Sequence, residues 1–315
     1  MRLWLLFLAA AAPIFGWGCE GHQIVALIAR AHLNAQAAAA IDQLLNANPV
    51  DPSLKRFCAD RMQDKSGLTD PMSADSTWAD DVRAKQKNGP WHYIDIPRTE
   101  TEPNIAKYCP PLGQTGSNGD ASGCVVNAIQ AQLAILKNAG VPAASRATAL
   151  RYLVHFVGDL HQPLHTTDNN DHGGNCTRLE FFDLGHPTNL HAVWDYNIIE
   201  HDVAGKHITV ADDARSIDQK NSANWKDWGQ TPADLNAWVW EGHGIANDVV
   251  YSKTAPPIPV ETPTSADVCA AETQKVQDLA LRIGDNYQSA AIPVVETQLA
   301  RAGYRLAGML NLIWP

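Results

Sequence analysis

The stretch HFVGDLHQPLHT, His155 to Thr166, sets three histidines and an aspartate inside an apolar run. Where a helical pattern runs from Ala143 to Leu160, His155 and Asp159 stand four residues apart and project from one face, so both can grip one ion. NLHAVWD repeats the spacing with His191 and Asp195, and His165 lies just beyond the first pair. A lone histidine on an apolar face is usually a packed, hydrogen-bonded residue, and one His/Asp pair is often only an ion pair. Two such pairs, with Asp80 and His92 beside tryptophans in WADD and WHYID, point instead to bound metal. Neutral imidazole with carboxylate is borderline ligation, suited to zinc in an exported protein.

The rest of the pattern predicts one mostly helical domain over residues 17–315. Glu20–Leu33 places Ile24, Leu27, Ile28 and Ala31 on one face, and Ala35–Leu45 continues helically. Asn46–Ser76 reads as loop with short turns, and STWADDVRAKQ opens a helix with Ser76 or Thr77 near its cap. WHYIDIPR is the one convincing extended piece, followed by a long loop from Pro97 to Ser122. Further helices are expected over Val125–Ala139, Ala143–Leu160, Leu190–Glu200, Leu235–Tyr251 and Ser265–Leu312, the last broken near Ile292 and Pro293. TAPPIPVETPTS is a proline-rich connector within the domain.

Residues 1–16, MRLWLLFLAAAAPIFG, read as a secretory signal peptide, with Arg2 ahead of a short apolar core. Cleavage after Gly16 would make Trp17 the first residue of a secreted or periplasmic chain. A rival reading takes GWGC as a lipoprotein site at Cys19, which a tryptophan two residues before the cysteine fits poorly. Six cysteines follow, none in a C-x-x-C pair, and an oxidising compartment favours disulfides over thiolate sites. Cys109 and Cys124 flank one loop and are the expected pair; the other pairings stay open. The net charge of −10 argues, taken alone, against binding a polyanion.

WG…GH, WAD, HYID, HFVGDLHQPLH, GGN and NLHAVWD occur here in that order, from Trp17 to the closing AGYRLAGMLN. The set resembles the single-strand-specific zinc nuclease family, whose helical fold is shared with the bacterial zinc phospholipases C. The resemblance implies an all-α fold with a trinuclear zinc cluster in a cleft. Asp80, His92, His155 and Asp159 would hold one zinc, and His165, His191 and Asp195 a second. His22, a bridging Asp159, and the free amine and carbonyl oxygen of Trp17 would hold a third. That last chelate explains the leader chemically, because the amine exists only after cleavage. His161 has no counterpart ligand and is expected to pack; His32, His172, His186, His201, His207 and His243 are set aside as non-ligands.

The resemblance further implies a metal-bridged hydroxide as nucleophile, 5′-phosphate products from single-stranded DNA and RNA, and 3′-nucleotidase activity. Arg83, three residues after Asp80, would face the phosphate beside the catalytic Asp80; Tyr93 would stack on a base, Asp95 bind its edge, and Asn175 line the phosphate path. Three zinc ions against three aspartates and one hydroxide leave about +2 at the site, which answers the charge objection locally. No protein partner or membrane span is implied, and a monomer is expected. A zinc phospholipase C is the alternative, disfavoured because those enzymes tend to carry glutamate where Asp195 stands; a non-catalytic zinc module is disfavoured by the intact ligand set. The stretch from Trp17 to Asp80, which carries Cys58, is longer than the family pattern, and the contacts of TTDNNDH do not transfer.

Overall fold

The computed structural model describes residues 17–58, 70–102, 104–113, 119–182, 184–262, 269 and 281–315; the leader read at residues 1–16 lies outside them. Twelve α-helices are described: α1 (Cys19–Ala31), α2 (Ala35–Ala47), α3 (Pro71–Ala74), α4 (Trp78–Gln86), α5 (Val125–Lys137), α6 (Ala143–Leu160), α7 (Leu190–Ala192), α8 (Ile198–Lys206), α9 (Val210–Asn221), α10 (Trp225–Gly229), α11 (Leu235–Ile245) and α12 (Asp285–Asn311). The mostly helical reading therefore holds.

Helix α6 is the axis of the molecule. From Ala149 to Leu160 every residue is buried, so its apolar surface is covered on all sides and its polar His155 and Asp159 need partners inside the protein. α5 packs along it, α1 lies between α12 and α9, and both α1 and α12 reach α6. The α1–α12 crossing is close because Gly303 faces Ile28; a Cβ there would come within 2.6 Å of Ile28 Cγ2. Local signals set the helix starts: Asn34 accepts from the Ala37 N–H at 2.7 Å, and Thr209 and Asp212 cap α9 reciprocally.

Several expectations need correction. The helix expected from Ser265 to Leu312 is not continuous: Cys269 is helical, but Arg282–Ile283 pairs as β3 with β1 (Arg178–Phe181) and the long helix begins at Asp285; residues 263–268 and 270–280 lie outside the described set. β2 (Thr188–Asn189) completes a three-stranded sheet in the order β2-β1-β3, which the sequence reading lacked. No break occurs at Pro293: it stands exposed inside α12, where water can satisfy the carbonyl its missing N–H leaves behind. Helices α9 and α10 were not expected at all. The WHYIDIPR piece closes a 3₁₀ turn at His92, then runs extended, Ile94 N–H donating to His165 O at 2.8 Å and Asp168 N–H to Ile96 O at 2.8 Å.

Disulfides join Cys109 to Cys124, as expected, and Cys19 to Cys58 and Cys176 to Cys269. The first of the unassigned pairs also disposes of the lipoprotein reading, since the Cys19 thiol is consumed.

His161 packs, as expected, in a cluster that ties α12 and α11 to the end of α6. Its Nδ1–H donates to Val157 O at 2.7 Å, and its Nε2 accepts from Arg305 at 2.8 Å. Burial and the adjacent Arg305 hold its pKa well below the usual histidine value. Arg305 also forks onto both oxygens of Glu241, at 3.1 and 3.0 Å, over the Trp238 ring. Glu241→Ala would leave that buried guanidinium without its carboxylate. We expect a loss of about 2–3 kcal/mol, because the glutamate is itself partly exposed, read as a lower Tm with metal content unchanged.

Candidate metal centre

Each candidate ligand sits where local structure aims it. Asp80 is in the first turn of α4, and His92 closes the 3₁₀ turn Gly89–His92. His155 and Asp159 share the inner face of α6, and His165 closes the turn Pro163–His165, capped by the Gln162 side chain. His191 lies on α7, and Asp195 in a wide π turn, Val193–Asn197, that links α7 to α8. Such widened turns recur at functional sites.

These residues gather in three neighbouring groups: His92, His155 and Asp159; His22, Asp80 and His155; and His165, His191 and Asp195. A fourth grouping, His172 with Cys176 and Cys269, offers no thiolate, because the two cysteines are bonded to each other.

The separations decide what could sit between these atoms. His165 Nε2 lies 3.2 Å from His191 Nε2, and His191 Nε2 3.3 Å from Asp195 Oδ2. His155 Nε2 lies 3.2 Å from His92 Nδ1 and 3.3 Å from Asp159 Oδ2, which is 3.0 Å from His92 Nδ1. Ligands about 2.0–2.1 Å from a tetrahedral zinc stand about 3.3 Å apart. The groups are thus spaced like edges of such a tetrahedron.

Hydrogen bonding at the far side of each ring strengthens the fit. The Nδ1 atoms of His155, His165 and His191 meet the carbonyl oxygens of Ser76, His92 and Gly173 at 2.8, 2.7 and 2.6 Å. A carbonyl only accepts, so each Nδ1 carries a proton and each ring turns its Nε2 inward, bare wherever the ring is neutral. Two bare nitrogens 3.2 Å apart, as in His165 and His191, repel unless a cation or proton lies between them. The buried His22 Nδ1 and Nε2, His92 Nε2, Asp80 Oδ1 and Asp159 Oδ1 have no hydrogen-bond partner. Orphaned atoms at this density fit a metal centre.

Burial opposes ionisation throughout, and the outcome differs by residue. Asp80 and Asp159 are held below the usual carboxylate range because the adjacent imidazoles, His155 foremost, outweigh burial. Burial pushes Asp195 well above that range, against only the Gln162 amide and Arg83. Burial, then the neighbouring His155, lowers His22 to about 4, so its ring is neutral at physiological pH. Asp159 faces two ways: Oδ2 meets His92 and His155, while Oδ1 lies 3.4 Å from His22 Nε2.

Trp17 is fully buried beside this centre. Its Gly18 N–H donates to Asp195 O at 2.7 Å. Its indole and the His22 ring approach α6 at Gly158, where a Cβ would come within 2.8 Å of His22 Nδ1. His22 in turn stacks on His155, centroids 3.9 Å apart. Arg83 lies over Gly89, and its buried Nη1 has no hydrogen-bond partner. It is close enough to Asp195 and Tyr93 to bias both.

Beside the His191 ring opens a cleft lined by Tyr93, Asp95, Leu164, His172 and Gly173. Asn175 is not in that lining; its side-chain amide donates to His172 O at 2.8 Å. The structure adds residues that the sequence reading passed over. His172 lines the cleft from a left-handed backbone, φ +56°. Gln162 donates to Asp195 Oδ1 at 2.7 Å while accepting from Leu164 N–H at 2.6 Å, fixing the aspartate against the His165 turn. Buried Asp171 accepts from Gly174 N–H, Thr177 and Tyr251, at 2.8, 2.5 and 3.0 Å, and so pins the loop whose Gly173 carbonyl holds His191.

Known proteins are similar to this chain along its length. The S1/P1 nuclease family model matches residues 17–315. Endonuclease 2 of Arabidopsis thaliana is 29% identical over 329 residues, spanning 100% of this chain and 95% of its own. Nuclease S1 of Aspergillus oryzae is 29% identical, spanning 97% of this chain and 94% of its own. Nuclease P1 of Penicillium citrinum is 27% identical, spanning 94% and 97%.

Proposed function

The chain belongs to the S1/P1 nuclease family, and from that premise we propose an exported zinc enzyme that cuts single-stranded DNA and RNA to 5′-phosphate products and dephosphorylates 3′-nucleotides. It is a hydrolase of phosphodiester bonds, as its nuclease relatives are named. The observation that carries the zinc reading is the set of inward-facing bare imidazole nitrogens and carboxylate oxygens, spaced one tetrahedral edge apart.

Asp80, His92, His155 and Asp159 would hold one ion, His165, His191 and Asp195 a second, and His22, Asp159 and the amine and carbonyl of Trp17 a third. Bound zinc supplies Lewis acidity and lowers the pKa of water from about 16 toward 7. The chain's own residues supply the positioning. Arg83, with a buried donor to spare, takes the non-bridging phosphate oxygens and offsets the charge that grows on them. Asp80 orients that region from the same turn of α4. Tyr93 offers a ring face to a nucleobase and Asp95 a carboxylate to its edge, while Asn175 shapes the turn that carries His172. A phosphate can reach so recessed a centre only when its base has left the stack, which favours single strands over duplex.

Three disulfides support export, and no helix of the described residues is long and apolar enough to cross a membrane. Freeing the Trp17 amine requires removal of residues 1–16.

The test is direct. Zinc-loaded protein beginning at Trp17 is offered single-stranded DNA, 3′-AMP and phosphatidylcholine, with and without chelator. We expect cleavage of the first two, none of the lipid, loss of activity with chelator and recovery on adding zinc. Lipid cleavage without nucleotide cleavage would overturn the nuclease in favour of a phospholipase C.

A further inference from the structure

Among the described residues, Phe57 is the one exposed aromatic of the four large apolar side chains that face solvent. It is held there by several bonds. Its N–H donates to Asp81 Oδ1 at 2.6 Å, the adjoining Arg56 pairs with Asp81 Oδ2 at 2.6 Å, and Cys58 is bonded to Cys19. A floppy tip would hide its ring; this backbone is anchored on two sides. Both anchors adjoin the metal centre, since Asp81 follows Asp80 and Cys19 stands two residues after Trp17.

A second ring completes the feature. Tyr196 directly follows Asp195, packs against Gly18, and lies with its centroid 6.5 Å from that of Phe57 at an inclination of 50°. The two rings form a ledge tied through chain neighbours to Trp17, Asp80 and Asp195. Neither ring belongs to the lining of the cleft that holds Tyr93 and Asp95 beside His191. A strand with its scissile phosphate at the centre must send its two adjoining nucleotides apart, and only one base can occupy the Tyr93 cleft.

We propose that Phe57, backed by Tyr196, is a second stacking platform, taking the nucleobase on the far side of the scissile phosphate from Tyr93. The inference rests on the nuclease reading and adds to it a reason to prefer oligonucleotides over mononucleotides. Any base has a π face, so the platform is expected to be tolerant of sequence.

A 3′-mononucleotide has no nucleotide beyond its phosphate and cannot use this ledge, whereas a tetranucleotide can. We expect Phe57→Ala to lower the ratio of kcat/KM on a single-stranded tetranucleotide to that on 3′-AMP by roughly 5- to 150-fold. Phe57→Trp should restore the ratio. Fluorescence anisotropy with a labelled phosphorothioate single strand should show the same order of affinities, wild type and Phe57→Trp above Phe57→Ala. An unchanged ratio, including equal losses on both substrates, or a failure of tryptophan to rescue, would overturn the platform. Wild-type protein inactive on both substrates would instead sink the nuclease reading on which it rests.

Discussion

Asp159→Asn is expected to abolish nuclease activity to within about one part in a thousand or less, and to strip metal from more than one position. The two oxygens of Asp159 face different imidazoles. Oδ2 stands 3.0 Å from His92 Nδ1 and 3.3 Å from His155 Nε2, while Oδ1 stands 3.4 Å from His22 Nε2. Asparagine keeps the size and one oxygen but removes the charge, and its amide nitrogen is a donor that cannot ligate. Metal assistance is worth several kcal/mol of transition-state stabilisation, and about 4 kcal/mol is a thousandfold. Elemental analysis beside single-strand cleavage provides the check. A variant with wild-type metal content and activity would show that the two oxygens do not serve two sites. His161→Gln makes a useful contrast, because that buried histidine bonds Arg305 rather than the centre, so its cost should appear in Tm and leave metal content unchanged.

The centre was legible in the sequence because helical periodicity does the geometry in advance. His155 and Asp159, and again His191 and Asp195, are four apart, so any helix through them presents each pair on one face. The order of the remaining motifs then gave the family, which the match over residues 17–315 bears out. What stayed hidden depends on contacts between segments distant in the chain. Cys19–Cys58 and Cys176–Cys269 close separations of 39 and 93 residues, and no local rule selects such partners. β1, β2 and β3 are four, two and two residues long, too short to leave an alternating pattern, and the helix-like run before Asp285 masked β3. α9 carries only a few buried apolar residues, among them Ala214 and Ile217, on an otherwise polar surface. His172 lay in a polar loop, and neither its left-handed backbone nor its place in the cleft lining leaves a mark in the spacing of the sequence.

Gly158 belongs to the same hidden class, and it carries the second large prediction. Read locally, a glycine inside α6 is a cost of about 1 kcal/mol against alanine. In the fold it is the place where α1 comes down onto α6. A Cβ at this position would stand 2.8 Å from His22 Nδ1 and 3.1 Å from His22 Cε1, with the Trp17 indole 3.8 Å away. The His22 ring cannot retreat easily, because it is already stacked on His155 at 3.9 Å. Gly158→Ala should therefore gain helix propensity yet lose about 1–3 kcal/mol to overpacking, and push His22 off Asp159. A misplacement approaching 1 Å in such a site costs about a hundredfold, so we expect kcat to fall about 10- to 100-fold and one equivalent of metal to be lost. Gly303→Ala supplies the control at another contact of α1, its crossing with α12: the Cβ would meet Ile28 at 2.6 Å. It should lower Tm while keeping the metal. If Gly158→Ala kept the metal content and rate of the wild type, His22 would not be the residue that the close approach of α1 to α6 exists to place.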